Sequence, residues 1–438
     1  MNKRVVVTGM GWTTPLGHDI PSVWNKLISG TSGIKRHNRF DASTYTTNFA
    51  GEVDESTDLY DVIKNKEEHK DAATMSRFAI AAARRAWSNA GLNNYKVCPS
   101  RAGIYLGGGE GTLDFEKAAV ANLSAFQEDT KNINGSKWFK AADLQLSPRF
   151  ELEQEPNMSS WHVAKQLKLQ GPSFSCLTAC AASTQAIGEA CDILRRGEAD
   201  IMVSGGTHTM LHPLGVTGFI RLTALSSRNE DPVGAARPFS RNRDGFVMGE
   251  GSGIVILESL DHALKRGAKP LAEVLGYGSS ADAYRVTDLH PDGRGPAAAM
   301  SAALDQANIN PIQMNHNQQP PIQYISAHGT GTQENDSIET LAVKSIFGHL
   351  APKIPISSIK SMMGHLIAAA GSVEFITCVQ VIQTGVIPPT INLNESDPDL
   401  DLDYVPNIAK KSKVDVCLSN SFGFGGQNDS LVIGTWKE

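Results

Sequence analysis

Gly171-Pro172-Ser173-Phe174-Ser175-Cys176-Leu177-Thr178-Ala179-Cys180-Ala181-Ala182-Ser183-Thr184 is the stretch on which the reading of this chain turns. A short apolar strand runs into a corner of small residues at Ala179-Cys180. A helical pattern follows through Ile187, Ala190, Ile193 and Leu194, and Gly197 ends it. Cys180 therefore falls at a strand-to-helix turn, at or near a helix N-terminus. Unpaired N–H groups and the positive dipole end predict a lowered thiol pKa there, and a seat for an oxyanion. A cysteine merely packed at a tight turn would read the same way. Cys176, inside the strand, reads as inert.

Working outward, Arg4-Val5-Val6-Val7-Thr8 reads as a buried strand stopped by Gly9-Met10-Gly11. Gly103-Ile104-Tyr105-Leu106 runs into three glycines, and Ile201-Met202-Val203-Ser204 ends at Gly205-Gly206. An alanine-rich helix pattern fills Met75 to Ala90 between them. The second half repeats this grammar. Leu271 to Gly278 echoes the first strand and its Gly-x-Gly, Tyr324-Ile325-Ser326 leads to Ala327-His328-Gly329, and Val416-Cys417-Leu418-Ser419 leads to the glycine-rich 422–426. Strands alternating with helices predict α/β layers. The shared order predicts a duplicated unit with its seam near 260–270, dividing the chain into 1–262 and 263–438. Residues 110–155, with no clean period, read as an inserted cap.

Composition narrows the function. The 438 residues carry 40 basic and 46 acidic side chains, a net charge of −6, which argues against nucleic-acid binding by bulk charge. Six cysteines without CxxC spacing read as reduced thiols rather than a disulfide framework. The three valines after Arg4 are too few for a secretory signal, and no run is read as approaching the roughly eighteen apolar residues of a membrane span. A cytoplasmic protein with no membrane partner is expected.

Two further segments carry chemistry. His328 ends a buried strand and precedes Gly329-Thr330-Gly331-Thr332, which aims it into the crevice where open α/β sheets bind ligands. Lys360 and His365 are sent together into the apolar stretch 357–374, which is costly unless they are paired; Glu374 is the one acid there. A thiol and two histidines suit enolate stabilisation or thiol activation, hence carbon–carbon bond chemistry as readily as hydrolysis. The glycine clusters do not complete a G-x-G-x-x-G, so no nucleotide is expected. His208 and His212 have i,i+4 spacing, but no third ligand lies nearby and Pro213 interrupts the helix, so no metal is expected either.

At these residues the sequence resembles the β-ketoacyl-acyl-carrier-protein synthases, type II elongating enzymes of the thiolase superfamily. The resemblance runs through 5–11, Thr178-Ala179-Cys180, 243–251, Ala327-His328-Gly329-Thr330, Lys360-Ser361-Met362-Met363-Gly364-His365 and 420–426. It implies a duplicated five-layer αβαβα fold, usually a homodimer. It also implies decarboxylative Claisen condensation with acyl carrier protein as partner, needing no metal or redox cofactor. In that likeness Cys180 is the nucleophile, and His328 and His365 assist decarboxylation and hold the enolate oxygen. Lys360 orders the pocket against Glu374. The N–H groups of Cys180 and Phe422 form the oxyanion hole, with Phe422 as gate. Thr330 and Thr332 contact pantetheine, Phe424 belongs to the substrate site, and Asp336 and Glu339 support it. Phe115, with Phe219, is expected to shorten or reshape the acyl pocket. Fatty-acid elongation leads. A polyketide or polyene synthase, a non-catalytic subunit of a heterodimer and a thiolase using Cys417 are the alternatives.

Overall fold

The computed structural model describes residues 3–55, 58–111 and 114–438. Ten strands share one sheet: β1 (Val5–Thr13), β2 (Ala102–Gly108), β3 (Ser173–Cys176), β4 (Ile201–His208), β5 (Gly251–Ser259), β6 (Ala272–Ala281), β7 (Tyr324–Ser326), β8 (Ile356–Ser357), β9 (Val416–Gly423) and β10 (Gln427–Gly434). Their order is β8-β7-β9-β10-β6-β1-β5-β4-β2-β3. Read outward from the centre, β1-β5-β4-β2-β3 and β6-β10-β9-β7-β8 are the same arrangement made twice. In each half the last three strands are parallel and the first three antiparallel. The halves join through β1 and β6 at only two residue pairs, Val6 with Glu273 and Val7 with Ala272.

Helices complete five layers. Helices α1 (Thr74–Asn89) and α2 (Met158–Leu167) cover the outer face of the first half. Helices α3 (Ala182–Arg195) and α6 (Ala370–Thr384) fill the middle, while α4 (Arg294–Gln306) and α5 (Gln333–Phe347) cover the second half. The glycines expected to stop the strands instead lie inside them. A side-chain carbon on Gly11 would sit 2.3 Å from the Ala82 carbonyl oxygen of α1, and one on Gly278 would sit 2.2 Å from that of Ala299 in α4. The repeated Gly-x-Gly lets a helix backbone touch a strand in each half.

Strands β5 and β10 have no counterpart in the sequence reading, although Ile254-Val255-Ile256-Leu257 is an apolar, mostly β-branched run. The expectation that no run reaches membrane-span length also changes. Residues 367–384 have a mean hydropathy of 1.3, but 83% of that stretch is buried. It is the core segment ending in α6, apolar because protein surrounds it on all sides.

The 110–155 region is more regular than its composition suggests. Helices Phe115–Ala125 and Gly135–Gln145 pack on each other across a short hairpin, and Asp114 and Asn134 cap their N-termini. Leu123, Phe139 and Leu144 stay exposed on it, which is why no helical period shows. Nearby, β3 forms one edge of the sheet and leaves Phe174 and Leu177 about half exposed.

Candidate active site

Cys180 lies on a tight 3₁₀ turn, Ala179–Ala181, that feeds directly into α3. Ala179 holds φ at +48°, a left-handed conformation that costs an alanine roughly 1 kcal/mol. The second half repeats the device: Ile367 at φ +49° opens the turn Ile367–Ala369 before α6. The duplicated elbows face one another. The Ser372 N–H donates to Ser183 Oγ at 2.9 Å across them, and Thr184 Oγ1 lies 2.7 Å from Ser421 Oγ of β9.

His365 follows Gly364 in the connection from the short helix Lys360–Met363, not in the apolar helix itself. Its N–H donates to the Val247 carbonyl at 2.7 Å, and its own carbonyl accepts from Gly249 at 2.9 Å. Its Nδ1 accepts the Ile367 N–H at 3.2 Å, so the neutral ring carries its hydrogen on Nε2, 3.0 Å from Cys180 Sγ. His328 follows β7. The Glu339 carboxylate anchors its backbone, accepting from the N–H of His328 at 2.9 Å and of Gly329 at 2.8 Å. The two imidazoles meet edge to face, 5.3 Å between centroids.

Lys360 donates to the His328 carbonyl at 2.6 Å and pairs with Glu374, all three groups being buried. Asp336 accepts the Phe239 N–H at 2.7 Å and the Gly331 N–H at 3.2 Å, shaping the loop that carries Thr330 and Thr332. Those hydroxyls lie 3.0 Å apart and face the same cavity, of about 350 Å³, as Cys180, His328, His365, Phe219 and Phe424.

Three expectations change. Burial pushes the Cys180 thiol up to about 12, outweighing the Lys360 charge and the backbone N–H groups of Phe424 and Cys180 that favour the thiolate. The resting sulfur is a thiol. Second, the amide beside that sulfur is Phe424's; Phe422 belongs to β9, in register with Asn428, and packs its ring against His328 at 5.6 Å. The repeated Phe-Gly of 422–425 hides this difference in the sequence. Third, Phe115 begins a cap helix and does not line the cavity, because the Asp114 cap turns the chain into that helix. Phe219 does line it, edge-on to Phe246, which is edge-on to His365 in turn. The sequence reading missed Phe246, although it lies within the 243–251 motif.

Burial, and then the Lys360 charge, hold both histidines well below their ordinary pKa. Both are neutral at pH 7, each with one N–H to donate. The ligand atoms of Cys180, His328 and His365 lie within 4.8 Å of one another, close enough to chelate. However, the bond from Ile367 to Nδ1 leaves His365 a donor toward the sulfur rather than a ligand. Cys176 bonds the Ala182 carbonyl, and Cys417 lies fully buried in β9. Neither reaches the cavity, so no second thiol serves a thiolase-type exchange there.

The sequence profile of the β-ketoacyl synthase N-terminal domain matches residues 2–263, and that of the C-terminal domain matches 271–394. The chain belongs to the β-ketoacyl synthase family. This synthase is 38% identical to 3-oxoacyl-[acyl-carrier-protein] synthase 2 of Coxiella burnetii, over 98% of each chain. It is 41% identical to the Synechocystis protein of the same name, again over 98% of each. Among solved structures, the ishigamide ketosynthase/chain length factor superposes with a TM-score of 0.86 at 32% identity, covering 100% of both chains. A type II polyketide ketosynthase, AntDE, solved with its acyl carrier protein AntF and a bound hexaketide, matches at a TM-score of 0.85, 33% identity and 100% coverage. The duplicated thiolase-like fold is therefore shared along the whole length.

Proposed function

We propose that this β-ketoacyl synthase takes an acyl chain onto Cys180 from an acyl carrier protein and extends it with malonyl carrier protein, as in fatty-acid elongation. The carrying observation is the His365 Nε2 to Cys180 Sγ contact of 3.0 Å beside two neutral imidazoles. In the first half-reaction sulfur attacks the thioester carbonyl. The oxyanion forms beside the N–H groups of Cys180 and Phe424, and the pantetheine thiol leaves with the proton. Malonyl thioester then enters along Thr330 and Thr332. As its carboxylate departs as CO₂, the electron pair moves to an enolate whose oxygen accepts from both imidazoles. The enolate carbon attacks the acyl-Cys180 carbonyl, and collapse of that adduct releases the β-ketoacyl product and the Cys180 thiolate, which takes a proton from water to restore the thiol. Lys360 positions His328 through its carbonyl, and Asp336, Glu339 and Glu374 hold the supporting frame.

A working unit of two identical copies fits the exposed edge β3, with halves 1–262 and 263–438 in each copy and a cytoplasmic location. A polyketide or polyene ketosynthase is the second reading, favoured by the full-length likeness to the type II polyketide ketosynthase AntDE and to the ishigamide ketosynthase/chain length factor. An intact-mass panel tests both. Short, long and polyunsaturated acyl carrier proteins are offered to the native protein and to Cys180→Ala, followed by malonyl carrier protein. An adduct absent from the variant and discharged by malonyl carrier supports condensation, and the preferred chain selects the pathway. A thiol that never acylates would point to a non-catalytic subunit.

A further inference from the structure

The histidine pair set aside as a metal site brackets Met210 and Leu211 of the apolar cluster around Cys180, and stands outside the residues that line the cavity of about 350 Å³. His208 closes β4 and is fully buried, yet neither ring nitrogen has a hydrogen-bond partner among the described residues. Its side is set by the strand's alternation. Thr207 bonds the Met75 carbonyl at 2.6 Å and so faces α1. Gly206 faces the other way, where a side-chain carbon would meet Ser183 Cβ and the Ala368 carbonyl, each at 2.6 Å. His208 shares that face, the layer carrying both elbows. Its Nδ1–Cε1 edge lies against Gly109, where an added side-chain carbon would come within 1.9 Å of Nδ1. Met210 and Leu211, just beyond, pack in one apolar cluster with Cys180, Phe219, Phe246 and Ile367.

His212 adds a second donor. Its Nδ1 accepts the Gly215 N–H at 3.2 Å, capping the helix Pro213–Arg221 that carries Phe219. The neutral ring therefore bears its hydrogen on Nε2, which is buried without a partner. Glu110 is the nearby acid and is exposed. Burial holds His208 down to about 4, so it too is a neutral ring with one N–H at pH 7. Two buried, unpartnered N–H donors flanking the apolar cluster that holds Cys180 and Phe219 call for an acceptor oxygen.

We infer that His208 and His212 form a specificity subsite for the acyl chain, selecting chains that carry a carbonyl or hydroxyl oxygen along their length over plain hydrocarbon chains. The inference rests on the condensing reading above and deepens it. Under the polyketide reading the oxygen is a keto group of the growing chain; under fatty-acid elongation it is a hydroxy- or oxo-acyl substrate. A site built to donate to an oxygen discriminates against the chain lacking it, because its donors then stay unpaired.

The test measures Cys180 acylation by intact mass, using octanoyl-pantetheine and octanoyl analogues with one keto oxygen moved carbon by carbon along the chain. At least one analogue is expected to exceed octanoyl by about tenfold in kcat/KM, the worth of one good hydrogen bond. His208→Leu should bring that ratio to about one, and His208→Asn, which keeps a donor, should restore part of it. His212→Asn keeps the helix cap, removes only the Nε2 donor and should lower the ratio; it decides the matter if His208→Leu does not fold. Equal rates for every analogue in the native protein overturn the subsite, as does a ratio that survives the variants. Acylation by octanoyl with no selectivity leaves the condensing reading standing. No acylation by any thioester overturns both.

Discussion

At Cys180 two opposing effects meet. Local geometry favours the thiolate through a helix start, backbone N–H groups and a lysine; burial in an apolar chamber opposes it and wins. A thiol with a pKa pushed up to about 12 is ionised more with every step in pH across the neutral range. Its alkylation by iodoacetamide should therefore rise about tenfold per pH unit from about pH 7 to 9.5 without a plateau. A plateau near pH 7.5 in a stopped-time mass assay would mean that the turn outweighs burial. His328 and His365 differ in reach, since only His365 has its Nε2 at the sulfur. Truncating His328 to alanine should lower condensation by about 10²–10³, as loss of an oxyanion donor does elsewhere, with a smaller effect on Cys180 acylation. Single-turnover kinetics of the two half-reactions would separate them. The residue types were legible in the sequence because thiol and imidazole are scarce and chemically marked. The direction of the Cys180 pKa shift was not, because desolvation depends on side chains remote in the chain.

Among the elements, the short helix Lys360–Met363 and α6 are tied by the Lys360–Glu374 pair, buried on both sides. Glu374→Leu alone strands a buried ammonium and should cost about 3–5 kcal/mol in urea unfolding. Lys360→Met combined with Glu374→Leu should recover most of that loss. The double variant should still condense poorly, because the His328 carbonyl loses the donor that fixes it. Recovered stability with recovered activity would reduce the pair to a structural role. Elements read from punctuation were placed well in type and less well in extent. The strand expected over residues 4–8 runs to Thr13, since its glycines serve contact with α1 rather than termination. The turn through His365 escaped notice because its signal, a left-handed Gly364 followed by a strained Ile367, is indistinguishable from a helix-friendly run of small residues.

For the whole molecule, the pseudo-symmetric pair of half-sheets leaves β3 as an edge with unpaired backbone and half-exposed Phe174 and Leu177, a ready template for a second copy. For the proposed unit of two copies joined at this edge, Phe174→Asp combined with Leu177→Asp should shift sedimentation velocity from that of a dimer to that of a monomer. Unchanged sedimentation would move the interface elsewhere, to the exposed apolar residues of the cap. Because β3 leads directly into the nucleophile turn, the monomer should also acylate more slowly.

The sequence by itself determined the duplicated α/β plan, the reacting side chains and the family, because strand–helix alternation and marked residues at set intervals are properties of the chain in one dimension. Tertiary structure alone decided which amide faces the sulfur, which aromatics wall the chamber, and that the rings of His208 and His212 are left with buried nitrogens lacking a partner among the described residues. Those outcomes depend on which elements stack across the middle layer. Burial there sets protonation, and a stretch of strand can present a histidine to water or to a reacting centre with the same local sequence.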